Sequence, residues 1–279
     1  MMNNKTGVVM IFSICFVFMS SCGEFGASAA EESFEDADKP AYVQDIPGDF
    51  WLCKPWNYEN LANSGRRYPL FVYLHGSGSQ GLPSSLPCFN GGEDQKLYPS
   101  FVYEPHASGS WDNAKLIAQI EALKAAYRID VNRVYLMGYS MGASGSYALA
   151  NAYYNSKKAI FAGIVRMSGQ SQSELAPAIA DKASVWYHIG LADDAARVTV
   201  ARDSWDFLKN YPGNAGALET TAAVPLASYP GTTRTLTRGS IEIVKYTEYD
   251  APVGHGISNF PLTDPAVLKW LFSQSLSRR

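Results

Sequence analysis

Arg133-Val134-Tyr135-Leu136-Met137-Gly138-Tyr139-Ser140-Met141-Gly142 is the stretch whose reading decides the fold. Residues 133–137 are an apolar run that reads as a buried strand. Residues 143–155 are rich in small side chains and read as a helix. Between them stands G-x-S-x-G. In the order strand, motif, helix, the pattern describes a sharp turn that projects the Ser140 hydroxyl from the C-terminal edge of a sheet, a nucleophile elbow. Gly138 and Gly142 are required because a side chain at either position would strike the neighbouring strand or helix.

Strands and helices alternate on both sides of that turn. Tyr68-Pro69-Leu70-Phe71-Val72-Tyr73-Leu74 is a second buried strand, followed by Ser100-Phe101-Val102-Tyr103-Glu104. Residues 113–127 place Leu116, Ile120 and Leu123 on one helical face, with Asp112 as N-cap. Gly163-Ile164-Val165-Arg166-Met167 and Ser184-Val185-Trp186-Tyr187-His188-Ile189 are further strands. Residues 199–210 are helical and 241–246 form a late strand. Asp264-Pro265 opens the last helix, with Asp as N-cap and Pro in the first helical position. This alternation predicts an α/β fold, a mostly parallel central sheet with helices on both faces in a three-layer sandwich. Residues 211–240, rich in Gly, Pro, Thr and Ala, read as an insertion or loop between the last two strands. No internal repeat or second domain is visible.

Composition narrows the function classes. The chain has 279 residues, 47% hydrophobic and 18% charged, enough for one large core. Its formal net charge is −3, and its only paired C-terminal basic residues are Arg278-Arg279, so nucleic acid is not an expected partner. Aromatic residues reach 13% and serve either packing or a lined pocket.

The N-terminal residues read as a targeting segment. Lys5 precedes an apolar stretch, 7–19, too short to span a bilayer comfortably. It ends in Met19-Ser20-Ser21-Cys22, which resembles a bacterial lipobox with Cys22 as the lipidated residue. Met19 stands where Leu is usual; the alternative is a plain secretory signal. The expected organisation is a signal peptide over 1–21, an acidic tether without apolar periodicity over 22–40, and a catalytic domain over 41–279. The expected location is a membrane-anchored lipoprotein, or else the periplasm or exterior, with membrane contact only through the lipid. Cys53 and Cys88 can form a disulfide in an exported protein.

A serine hydroxyl needs a base, an acid to orient that base, and donors for the oxyanion. On this architecture they follow the order Ser, Asp or Glu, His. Of the four histidines, 75, 106, 188 and 255, only His255 follows every acid loop that could serve. It lies in Gly254-His255-Gly256, between the late strand and the last helix. His188 falls inside a strand and reads as a core residue. Gly190-Leu191-Ala192-Asp193-Asp194 follows a strand end and offers two acids, Asp193 as the triad member and Asp194 as its rival. The oxyanion donors are expected to be the backbone N–H groups of Met141 and Ser77, the latter in Leu74-His75-Gly76-Ser77-Gly78. Trp111 and Tyr139 are candidate walls of the substrate site.

These residues resemble an α/β-hydrolase of the feruloyl esterase and acetylxylan esterase type, a group that includes polyhydroxyalkanoate-depolymerase-like esterases and predicted peptidases. The resemblance rests on Tyr68-Pro69-Leu70, Leu74 to Gly78, Gly109-Ser110-Trp111-Asp112, Ile129 to Tyr135, Gly138 to Gly142, Gly190 to Asp193 and Gly254-His255. It spans about residues 45–275. The relatives often place a hydrophobic residue and Pro shortly after the triad acid; Ala195-Ala196-Arg197-Val198 departs from that. The resemblance implies ester hydrolysis through an acyl-enzyme without metal or cofactor, on feruloyl or acetyl esters of plant polysaccharide or similar small esters. Polyester depolymerisation, peptidase action and a non-catalytic binding module on the cell surface are the other readings. Oligomeric state is not legible.

Overall fold

The protein is described here by a computed structural model covering residues 42–43, 50–78, 93–171, 173–224, 229–257 and 259–278. The expected signal peptide and tether, with Cys22, lie outside the described residues, as does Cys88. Its proposed disulfide partner Cys53 is buried in an early strand.

The elements run β1 (Tyr42–Val43), β2 (Phe50–Cys53), β3 (Tyr68–Leu74), α1 (Glu93–Leu97), β4 (Phe101–Pro105), α2 (Asn113–Ala126), β5 (Ile129–Tyr139) and α3 (Met141–Lys157). They continue with β6 (Gly163–Met167), α4 (Pro177–Lys182), β7 (Ser184–Gly190), α5 (Ala195–Lys209), β8 (Leu218–Ala223), β9 (Gly231–Arg238), β10 (Ile241–Tyr249), α6 (Asn259–Thr263) and α7 (Pro265–Phe272). Among the described residues ten strands form one sheet, in the order β1-β2-β4-β3-β5-β6-β7-β10-β9-β8. The six strands from β4 to β10 in that order are parallel.

Burial explains the parallel centre. β3, β6 and β7 are buried at every position. A strand without an exposed face must be covered on both sides, and helical crossovers between parallel strands provide that cover. On one face α2, α3, α4 and α5 contribute Leu116, Ile120, Tyr147, Ile179 and Trp205 to the larger apolar cluster. On the other, α6 and α7 contribute Leu262, Val267, Trp270 and Leu271. The α2 start follows its cap: the Lys115 N–H donates to Asp112 Oδ1 at 3.0 Å. Asp264 caps α7 in the same way, accepting from the Ala266 N–H at 2.8 Å, with Pro265 at the first helical position.

Residues 211–240 correct the sequence reading. They contain the hairpin partners β8 and β9, which extend the sheet past β10 in antiparallel register, Leu218 opposite Thr237 and Ala223 opposite Thr232. All six β8 residues are exposed, so no apolar run marks the strand. Its signal is the β-branched content, Thr220-Thr221 and then Thr232, Thr233, Thr235 and Thr237. The helix expected over 199–210 begins earlier, at Ala195, because Asp194 caps it.

Two buried charged residues differ in their surroundings. Arg166 in β6 is fully buried. Its guanidinium donates to the Ala143 carbonyl at 3.0 Å, the Ser171 carbonyl at 2.8 Å and Ser204 Oγ at 3.4 Å. It also lies 3.8 Å from the Tyr147 ring centroid. Oriented carbonyls and a ring face replace its water, and the first turn of α3 is thereby tied to the segment after β6. Glu104 in β4 is equally buried, yet neither carboxylate oxygen has a hydrogen-bond partner among the described residues. Burial pushes its pKa up to about 8.

A raised folded-state pKa makes stability full at low pH and progressively lost as pH rises from about 4.5 to about 8. The whole effect is on the order of 5 kcal/mol. Wild-type protein should therefore be less stable at pH 9 than at pH 5, and Glu104→Gln should remove most of that difference. Urea unfolding of both proteins at the two pH values measures it; equal pH dependence in the two proteins would show that burial does not raise the Glu104 pKa.

Candidate active site

Ser140 sits between β5 and α3 at φ 52° and ψ −110°. A positive φ at a residue with a side chain is strained by roughly 1–3 kcal/mol, so the surroundings must enforce it. The Ser140 N–H donates to the Met167 carbonyl of β6 at 2.8 Å, and its own carbonyl accepts from the Ser144 N–H at 3.0 Å. The flanking glycines make the turn sterically possible. A Cβ on Gly138 would lie 2.3 Å from the Gly142 carbonyl oxygen, and one on Gly142 would lie 1.9 Å from the Leu74 carbonyl oxygen.

The acid and base loops leave the same sheet edge. β7 and β10 are parallel neighbours ending together at Gly190 and Tyr249. Their following loops are bonded, the Leu191 N–H to the Tyr249 carbonyl and the Ala192 N–H to the Val253 carbonyl, each at 2.9 Å. Gly190 is needed here: its Cβ would stand 2.4 Å from the Val253 carbonyl oxygen. This brings together residues 115 and 62 positions apart. His255 Nε2 lies 2.9 Å from Ser140 Oγ, and His255 Nδ1 lies 2.9 Å from Asp193 Oδ2. The consistent tautomer has Nδ1–H donating to Asp193 and Nε2 accepting from the serine hydroxyl. The Asp193 side chain is 1% exposed and the His255 side chain 36%, so the imidazole faces solvent and the carboxylate does not.

The two aspartates separate by geometry. Asp193 takes the imidazole; Asp194 caps α5, accepting from the Ala196 N–H at 2.8 Å. Asp193 Oδ1 further accepts from the Asp194 N–H at 2.7 Å and from Arg197 Nη1 at 3.3 Å. Burial works to raise the Asp193 pKa, but the hydrogen bonds from His255 and the Asp194 amide outweigh it and hold the carboxyl below its usual range. Arg197 escaped the sequence reading as a site residue. Its signal was its place four residues after Asp193 on a helix, one turn away.

The region expected to hold an oxyanion is adjacent. A Cβ on Gly76 would lie 3.5 Å from Ser140 Cβ, so the loop after β3 passes beside Ser140, with exposed Ser77 next in line. Met141 is the first residue of α3, so its N–H has no acceptor within the helix and lies at the end that favours negative charge. His75 is buried and braces this loop. Its Nδ1–H donates to the Gly76 carbonyl at 2.8 Å, and its Nε2 accepts from the Ala107 N–H at 3.2 Å. Burial lowers its pKa, which keeps the ring neutral.

Two other expected site residues are turned toward the protein. Trp111 is half-buried against α3, where a Cβ on Gly145 would meet its Cδ1 at 2.3 Å, and its ring lies 4.9 Å from that of His75. Tyr139 directs its hydroxyl to the His255 carbonyl at 3.0 Å. His188 is a core residue: its Nδ1 shares a hydrogen bond with the Tyr249 hydroxyl at 2.9 Å, and burial pushes its pKa down to about 3.

No family model and no curated protein sequence matches the chain. Solved structures do. A thermostable esterase is similar at 21% identity and a TM-score of 0.60, over 85% of this chain and 62% of its own. The chain thus corresponds to less than two thirds of that protein. An acetyl xylan esterase from Aspergillus awamori is similar at 16% identity and a TM-score of 0.57, over 84% of this chain and 100% of its own. A ferulic acid esterase is similar at 14% identity and a TM-score of 0.54, over 86% of this chain and 98% of its own. With the strand order, the elbow and the loops above, these likenesses establish that the chain has the α/β-hydrolase fold.

Proposed function

We propose that this protein is a serine hydrolase that cleaves carboxylic esters through an acyl-enzyme. The observation that carries the reading is the continuous chain of hydrogen bonds Ser140–His255–Asp193, 2.9 Å at each link, at the mouth of a strained elbow. In the proposed reaction Ser140 Oγ attacks the ester carbonyl carbon while its proton passes to His255 Nε2. The carbonyl electron pair moves to oxygen, where the N–H groups of Met141 and Ser77 would receive it. The intermediate collapses, the C–O bond to the alcohol breaks, and His255 returns the proton to the departing oxygen. Water then repeats the sequence on the acyl-enzyme, with His255 again as base. Asp193 remains ionised throughout, holding the imidazole tautomer and offsetting its transient charge.

For substrates, acetyl and feruloyl esters of plant polysaccharide, or small esters like them, fit best. This reading is supported by the sequence resemblance and by similarity of fold to an acetyl xylan esterase and a ferulic acid esterase.

The first test is turnover of p-nitrophenyl acetate, methyl ferulate, acetylated xylan and polyhydroxybutyrate by wild type and Ser140→Ala. Wild type should hydrolyse the small esters, Ser140→Ala should not, and a fluorophosphonate probe should label Ser140 alone. Labelling of another serine, or an active Ser140→Ala, would remove the proposed nucleophile; activity confined to the polymer ester would move the substrate class.

Replacing each aspartate tests the acid. Asp193→Asn should lower turnover by on the order of 10⁴, by analogy with the same change in the serine-protease triad. Asp194→Asn should leave turnover near wild type, with a loss of at most about 1 kcal/mol in stability as a cap. Comparable activities for the two variants would contradict the assignment.

A further inference from the structure

Tyr139 is the last residue of β5 and the neighbour of the nucleophile. Its backbone is held within the sheet, paired with Met167 of β6. Its side chain touches both loops on which the proposed reaction depends. The hydroxyl donates to the His255 carbonyl at 3.0 Å, and the phenol and imidazole ring centroids are 5.3 Å apart at an angle of 33°. On another side, a Cβ placed on Gly76 would be 2.8 Å from Tyr139 Cδ1 and 3.0 Å from Cε1, so the oxyanion loop rests directly on the ring.

The His255 loop needs such an anchor. Both neighbours of the base are glycines, and Gly256 has open space where a Cβ would stand. Glycine leaves the backbone its widest freedom. Asp193 fixes the tilt of the imidazole through Nδ1 but does not hold the main chain that carries it. Among the described residues the His255 carbonyl has two donors: the Ile257 N–H at 2.9 Å, from the same loop, and the Tyr139 hydroxyl, from the sheet. Only the second ties the loop to a rigid element.

We propose that Tyr139 is a positioning residue that holds the His255 backbone and the Gly76 peptide at fixed distance from Ser140, rather than a wall of the substrate site. The proposal rests on the ester-hydrolase reading for its kinetic consequences, but not for its geometry. Because the nucleophile, the base and the oxyanion loop come from three segments, their relative placement is set by whatever spans them. The ring beside Ser140 spans the other two. Its loss should therefore appear in turnover and leave ground-state binding unaltered, because positioning acts on the reacting geometry.

The test compares wild type with Tyr139→Phe, which keeps the ring and removes the hydroxyl, and with Tyr139→Leu, which removes both. Tyr135→Phe is the control. It deletes a buried hydroxyl on the same strand, bonded to the Gln274 carbonyl at 2.9 Å, far from the three loops in contact. With p-nitrophenyl acetate, Tyr139→Phe should lower kcat about tenfold, the equivalent of one net hydrogen bond, with KM unchanged. Tyr139→Leu should lower it about a hundredfold. Tyr135→Phe should lower the melting temperature and leave kcat alone. Independently of turnover, the downfield proton resonance of the His255–Asp193 hydrogen bond should be sharp in wild type and in Tyr135→Phe and broadened in Tyr139→Phe. Wild-type kcat with a sharp resonance in Tyr139→Phe would overturn the proposal. So would a raised KM at unchanged kcat, which would assign Tyr139 to substrate contact, or an equal loss of kcat in Tyr135→Phe, which would mark a general loss of stability. A wild-type protein inert toward every ester would instead overturn the ester-hydrolase reading, and the resonance would still decide the role of Tyr139.

Discussion

The first turn of α3 meets the end of β3 with no room for a side chain between them, and the site is organised around that contact. Gly142 lies so close to the Leu74 and His75 carbonyls that a Cβ would stand 1.9 Å from the first and 2.8 Å from the second. The approach compresses the strand-to-helix connection into a single residue. That residue, Ser140, is left with a backbone that non-glycine residues rarely adopt. The neighbouring parallel strand β6, joined to it through the Met167 carbonyl, holds the strain in place. The helix axis is aimed so that its unpaired N-terminal amides open beside the serine. The proposed nucleophile, a donor and a favourable dipole thus follow from one steric contact.

The remaining groups reach this point by loops, and loops need bracing. The acid and base loops hold each other through the Leu191 and Ala192 amides. His75 braces the oxyanion loop from below as a neutral ring. Asp193 gathers donors from His255, the Asp194 amide and Arg197, enough to keep a buried carboxylate ionised. Its folded-state pKa is depressed, so its contribution to stability is present above the ordinary aspartate range and is lost as pH falls through the lowered value. The carboxylate proposed as the triad acid therefore favours the folded state at neutral pH.

Glu104 behaves in the opposite sense, and comparison with Arg166 shows why. Both are fully buried in one sheet, on strands separated by β3 and β5. Arg166 spreads its charge over two carbonyls, a hydroxyl and a tyrosine face. Glu104 meets no donor among the described residues, and its proton is held to about pH 8. Burial alone does not decide whether a charge survives in the interior; the orientation of the surrounding dipoles does.

By itself the sequence determined the local pieces. The apolar runs announced the central strands because a parallel strand is buried on both faces. Gly138 and Gly142 announced the elbow because only glycine tolerates that approach. Asp112 and Asp264-Pro265 announced helix starts because capping is local chemistry. What is long-range in the chain had to come from the tertiary structure. β8 carries no hydrophobic signature, since its six side chains face solvent and only pairing with β9 makes it a strand. Asp193 and Asp194 are chemically alike and adjacent. Only the direction in which the chain leaves β7, set by the close contact of Gly190 with Val253, turns one toward His255 and the other onto α5. Tyr139 likewise sat inside the motif from the start. That its hydroxyl reaches the His255 carbonyl, 116 residues away, is a matter of where two loops meet, which no local pattern encodes.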